Sequence, residues 1–105
     1  MSSYKNLSVA ELQPLLAEGK VKLVDVRTAA EVARGFIKGA EIMPLHLLPM
    51  NIKTLNAAIP TVFYCQVGGR SAQAASFAAA QGMLDVYNLQ GGITAWGHSG
   101  GEITV

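Results

Sequence analysis

The sequence predicts an α/β fold: a three-layer domain with a central, mostly parallel sheet of about five short strands and helices on both faces. Three observations carry this. Apolar runs of strand length alternate with segments of helical spacing along the chain, the pattern of strands joined by helical crossovers. The run Thr61-Val62-Phe63-Tyr64 is entirely β-branched or aromatic, which suits a strand covered on both faces. Half of the 105 residues are hydrophobic and only 14% are charged, the balance of a chain that builds a core rather than staying disordered. The expectation is a single domain over residues 1–105, long enough to bury ~60–70% of its unfolded surface without staples.

The elements follow in order. Ser8-Val-Ala-Glu11 is a capping box, and Val9, Leu12, Leu15 and Leu16 continue it at helical spacing until Gly19. Val21–Val26 reads as a strand. Thr28-Ala-Ala-Glu31 is a second capping box, opening a short helix. Gly35 to Ala40 is a turn region leading to a short strand, Glu41-Ile42-Met43, which Pro44 ends. Asn51 to Ile59 reads as a short helix broken by Pro60. A helix is predicted over Ser71–Gln81, stopped by Gly82, with Phe77 in the core. Asp85–Leu89 is the last strand, Gly91-Gly92 a turn, and Ile93–Trp96 a final helical turn whose Trp96 anchors the core.

The chemistry concentrates where the third strand reading ends. Cys65 follows Tyr64, and Gln66-Val67-Gly68-Gly69-Arg70-Ser71 follows Cys65. Gly68 and Gly69 let the backbone turn so that its N–H groups face inward. Cys65 is thereby placed at the carboxyl end of a strand, facing a helix N-terminus, where open α/β sheets put their ligands. Inward amides and a helix N-terminus make an anion site. A thiol held there is stabilised as thiolate, with a pKa lowered from ~8.5 to between ~3.5 and ~7.5. Arg70 adds a fixed positive charge with a fork suited to an oxyanion. The competing reading, Cys65 as a small buried hydrophobe, leaves the glycines and the arginine unexplained.

The loop Cys65-Gln-Val-Gly-Gly-Arg-Ser71 resembles the active-site loop of rhodanese-like sulfurtransferases. Three further stretches match that family in order: Leu23-Val-Asp25-Val-Arg27 with Glu31; Gly35-Phe-Ile-Lys-Gly39-Ala40 with Pro44; and Leu89-Gln-Gly91-Gly92-Ile-Thr-Ala-Trp96. The family usually carries a His where this chain has Phe36. The resemblance implies a fold of the kind already predicted. It also implies a sulfurtransferase of the thiosulfate type, moving a sulfane sulfur from a small donor such as thiosulfate to cyanide or a thiol through a Cys65 persulfide. Cys65 is then the catalytic residue, and Gln66, Val67, Gly68, Gly69, Arg70 and Ser71 bind substrate.

For Asp25, Arg27 and Glu31 two readings stand. They either contact substrate or support the loop, with Asp25 bonding backbone N–H groups and Arg27 pairing with Glu31; buried charge favours the second. Other functions fit less well. Cysteine phosphatases and arsenate reductases use a similar cradle but place the Arg one residue further from the Cys. A persulfide carrier, or a sulfur-handling head of a larger protein, differs only in turnover. With one cysteine the chain has no internal resolving thiol, so sulfur must leave to an outside acceptor, which could be a protein.

The remaining features exclude partners. The net charge is +1, without a basic stripe, which argues against nucleic acid. No apolar run nears ~18 residues, so no membrane segment is expected. The N-terminal stretch Met1 to Asn6 lacks the apolar core of a signal peptide. The lone cysteine suits a reducing, cytoplasmic setting. His46 and His98 stand without ligand-spaced neighbours, so neither a metal nor any other cofactor is expected. Met43, Met50 and Met83 read as gap fillers, with Met50 a candidate for an exposed apolar lip.

Overall fold

The computed structural model describes residues 3–105; Met1 and Ser2, at the start of the N-terminal stretch read above, lie outside them. The chain runs β1 (Lys5–Leu7), α1 (Val9–Ala17), β2 (Lys22–Asp25), α2 (Ala29–Ala33) and β3 (Glu41–Ile42). Then come two 3₁₀ turns, Leu45–Leu47 and Ile52–Thr54, flanking α3 (Leu48–Asn51). The chain closes with β4 (Thr61–Tyr64), α4 (Gly69–Ala80), β5 (Val86–Leu89) and α5 (Gly92–His98). The strands form one sheet in the order β1-β5-β4-β2-β3, and every neighbouring pair is parallel.

The two-residue period of a strand sorts the core into two layers. Val24, Phe63 and Val86 face one side, with Leu48, Ile52, Ala74, Ala75, Ala78 and Ala79 from α3 to α4 packed on them. Leu23, Val62, Tyr64 and Leu89 face the other, under Val9 and Leu12 of α1 and Ile93 and Trp96 of α5. Helices on both faces follow from that division. The alternation also decides the site. Tyr64 falls on the α1–α5 side, so the next residue, Cys65, falls on the α4 side.

Both capping boxes form. Ser8 and Glu11 exchange bonds of 2.9 and 3.1 Å, and Thr28 and Glu31 bonds of 3.1 and 3.3 Å. Gly19 and Gly82, at φ +67° and +100°, follow the ends of α1 and α4 as expected. Trp96 anchors the C-terminal end, its Nε1 donating to the Glu102 carbonyl at 2.9 Å.

Two readings need correction, and one strand is an addition. The helix expected over Asn51–Ile59 lies earlier, across Leu45–Thr54. Pro49 is accommodated in the first turn of α3, and Leu48, Ile52 and, just past the end of the stretch, Leu55 are buried. The Lys5–Leu7 strand was not read from sequence, being a short edge with one apolar residue. Phe77 is only half-buried, at the margin of the α4 layer. Met43 and Met83 fill the core as expected, and Met50, the candidate for an exposed apolar lip, is 81% exposed rather than a gap filler.

Candidate active site

β4 delivers Cys65 to the carboxyl edge of the sheet, and α4 begins four residues later. Gly68 makes that turn possible. It sits at φ +116°, in the left-handed region, as the N-cap of α4. Its N–H then points back at the thiol, 3.1 Å from Cys65 Sγ. One helical turn on, the Ser71 N–H lies 3.4 Å and the Ser71 hydroxyl 3.3 Å from the same sulfur. Burial pushes the thiol up, but the Ser71 hydroxyl, the amides of Ser71 and Gly68 and the nearby Val67 N–H outweigh it. They hold Cys65 below its ordinary value.

The thiol is 1% exposed, more enclosed than a residue at a strand end suggests. It is ringed by polar donors on its α4 side although its neighbours on β4 are core. Val67, by contrast, is the exposed apolar tip of the loop. Gln66 is turned sideways, its Nε2 donating to Thr94 Oγ1 at 3.0 Å and its Oε1 accepting from Arg27 at 3.5 Å. It ties the loop to α5.

The charged residues assemble, but in different pairs from those expected. Arg27 pairs with Asp25, not Glu31: its Nε and Nη2 donate to the carboxylate at 2.8–3.2 Å, and its backbone N–H adds a bond of 2.9 Å. Asp25 and Arg27 are both buried, and Arg27 also donates to the Gly35 carbonyl at 2.7 Å and lies over the Tyr64 ring. Glu31 pairs with Arg70 instead, through two parallel bonds of 2.7 and 2.8 Å. Arg70 therefore does not stand free over the thiol. Among the described residues two of its five N–H donors are engaged, which leaves three to meet a ligand. That pairing, with the Thr28 cap, holds the Glu31 carboxyl down at about 2 against partial burial.

Sequence reading missed three contributors. Gly92, read only as a turn, lets α5 lie directly on the Cys65–Gln66 peptide; a Cβ there would stand 2.5 Å from both carbonyl oxygens. With that approach the N–H groups of Ile93 and Thr94 bond those carbonyls at 3.0 and 3.2 Å. Tyr64 accepts the Ile37 N–H at its hydroxyl, 3.1 Å, fixing the segment after α2. Asn88, a buried polar residue on β5, bonds Ser71. A polar residue at an inward strand position was the available signal for the last.

Two cavities flank the loop. One of about 260 Å³ is lined by Val26, Thr28, Pro44, Leu45, His46 and Arg70. The other, about 520 Å³, lies outside Gln66 and includes Arg34, Thr94 and His98. Among the described residues no His, Cys, Asp and Glu cluster is arranged to hold a metal, and no helix is long and apolar enough to cross a membrane.

The result is a parallel α/β domain whose strand-end thiol is ringed by loop amides and faces a helix start, an arrangement suited to an anion. Comparison with known proteins narrows the field. The chain belongs to the rhodanese-like domain family, whose model matches residues 8–99. It is 44% identical over 80 residues to a sulfurtransferase of Allochromatium vinosum, covering 76% of this chain and 75% of that one. It is 34% identical over 96 residues to the thiosulfate sulfurtransferase GlpE of Pseudomonas entomophila, covering 91% and 87%. The structure of the human single-domain sulfurtransferase TSTD1 superposes with a TM-score of 0.86 at 29% identity, covering 91% and 97%.

Proposed function

We propose that this protein transfers sulfane sulfur from a small donor such as thiosulfate to cyanide or a thiol, by way of a persulfide on Cys65. The observation that carries the reading is the set of three donors on one sulfur, from Gly68 and Ser71. The names of the relatives support the reaction class.

The chemistry follows from that cradle. The Cys65 thiolate attacks the outer sulfur of thiosulfate. A new S–S bond forms, the donor's S–S bond breaks, and sulfite leaves with its electron pair. Cys65 then carries a terminal sulfur bearing one negative charge, which the loop amides stabilise. An acceptor nucleophile attacks that sulfur, thiocyanate or a new persulfide leaves, and the thiolate is restored. The two half-reactions make the kinetics ping-pong. A thiol that the cradle holds below its ordinary pKa leans less on a general base. The apolar tip at Val67 offers no charge to a dianionic donor, so Arg70 is the residue that orients the sulfonate, from the cavity it shares with His46. Asp25, Arg27 and Glu31 support the loop. The lone thiol sends the sulfur to an outside acceptor, and a reducing, cytoplasmic setting keeps that thiol free.

The test is thiocyanate formation from thiosulfate and cyanide. The wild-type chain turns over and Cys65→Ser does not. Activity retained by Cys65→Ser removes the mechanism. Hydrolysis of an aryl phosphate well above blank, with no thiocyanate, would transfer the site to phosphoryl chemistry.

A further inference from the structure

The sulfur sits at the end of a polar chain that reaches the surface. Ser71 Oγ is 3.3 Å from Cys65 Sγ and 2.5 Å from Asn88 Oδ1. Asn88 Nδ2 donates to Asn6 Oδ1 at 3.1 Å. Ser71 and Asn88 are buried, and Asn6 is exposed on the edge strand β1, directly beside Asn88 in the sheet register.

A hydroxyl carries one proton, so Ser71 cannot serve both Cys65 and Asn88. While Cys65 is protonated, its S–H donates to Ser71 Oγ, Ser71 donates to Asn88 Oδ1, and Asn88 donates to Asn6. Every side-chain donor of this chain points away from the sulfur, while the Gly68 and Ser71 amides still face it. Once Cys65 ionises, the sulfur requires a donor and the Ser71 proton turns to it. Ser71 Oγ and Asn88 Oδ1 would then face each other as two buried acceptors, which is costly. Half a turn of the Asn88 amide exchanges its nitrogen and oxygen, atoms whose assignment follows the surrounding network. Asn88 Nδ2 then donates to Ser71, and the exposed Asn6 amide turns to donate to Asn88. All donors now point toward the sulfur.

We propose that Asn88 is a positioning residue: its amide sets the direction of the Ser71 hydroxyl, and the chain Asn6–Asn88–Ser71 reverses as Cys65 ionises. This rests on the reading of Cys65 as a reactive thiol. The charged and titratable groups around the chain are Arg70 with Glu31, Arg27 with Asp25, Tyr64, Tyr87 on β5 with Asp85 just before it, and Lys5 on β1 with Tyr4 just before it. Among the described residues none of these hydrogen-bonds Ser71 or Asn88.

The test titrates the thiol on the full chain, by its ultraviolet thiolate absorbance and by the pH dependence of iodoacetamide alkylation. Asn88→Asp keeps the shape but can only accept, so it captures the Ser71 proton. Alkylation near neutral pH should slow by about tenfold, with the titration midpoint about one unit higher. The same substitution in a Ser71→Ala background has no hydroxyl to redirect, and its effect should shrink to the through-space influence of the new charge. Equal effects in both backgrounds overturn the proposal. Should Asn88→Asp fail to fold, Asn6→Asp acts from the exposed end. Its carboxylate locks Asn88 as a donor away from the sulfur and should slow alkylation about threefold, a change that survives high salt. No change, or a change that salt abolishes, overturns the proposal. The readout is thiol ionisation, so it is independent of the donor. A thiol whose absorbance titrates low while thiosulfate loads nothing would contradict the sulfurtransferase reading and leave this one standing.

Discussion

Glu31 and Arg70, 39 residues apart in sequence, meet in two parallel hydrogen bonds of 2.7 and 2.8 Å. Glu31 is also the residue that closes the Thr28 capping box of α2. One carboxylate thus clamps the helix after β2 to the first turn of α4, where the amides that hold the sulfur are found. Glu31→Ala removes the Glu31 half of the capping box and the clamp together, leaving the Thr28 hydroxyl on the residue-31 amide, and is expected to destabilise the protein by about 1–2 kcal/mol. Glu31→Gln keeps the cap and should lose less than half of that. Denaturant midpoints check both.

Acid acts on the same pair. The folded-state pKa of Glu31 is about 2 against an ordinary 4.5, so its stabilisation is fully present above pH 4.5 and is lost as pH falls toward 2. The pair is partly exposed, so the loss should be about 1 kcal/mol rather than the full linkage value. In Glu31→Gln that portion of the acid sensitivity disappears. An unchanged acid profile would show that the clamp contributes nothing.

Gly92 determines how closely α5 approaches Cys65. Its φ is +60° and a Cβ would stand 2.5 Å from the carbonyls of Cys65 and Gln66. Gly92→Ala should cost about 2–4 kcal/mol and displace the loop. Gly100→Ala, also at positive φ but with nothing within 4 Å, should cost about 1 kcal/mol. Thermal unfolding of the two variants separates close approach from backbone conformation.

Arg70→Ala should raise KM for thiosulfate about tenfold, by removing the fork that orients the sulfonate. The Cys65 titration should move much less, because the amides of Gly68 and Ser71 remain. Unchanged donor kinetics would take Arg70 out of the donor site and leave it only as the partner of Glu31.

What the sequence showed was what is encoded locally. Ser8 with Glu11 and Thr28 with Glu31 are three residues apart, so both caps were readable. So was the strand-loop-helix of Thr61–Ala80, whose glycines, thiol and helix formers are contiguous. β1 was not readable, because Lys5-Asn6-Leu7 becomes a strand only by pairing with β5. The helix at Leu45–Thr54 was placed too late, although the spacing of Leu48, Ile52 and Leu55 carried its period. The charge pairs were exchanged because Asp25, Arg27, Glu31 and Arg70 come together only when β2, α2 and α4 meet at the carboxyl edge of the sheet. Asp25 and Arg27 pair two residues apart at the end of β2, whereas Glu31 of α2 meets Arg70 of α4. Asn88 reaches Ser71 for the same tertiary reason.

Intact-mass analysis of the protein before and after thiosulfate, with and without reductant, tests the central claim most directly. The account predicts a gain of one sulfur atom, carried on Cys65, removed by reductant and absent from Cys65→Ser. An unchanged mass in a folded protein whose Cys65 still alkylates would contradict it.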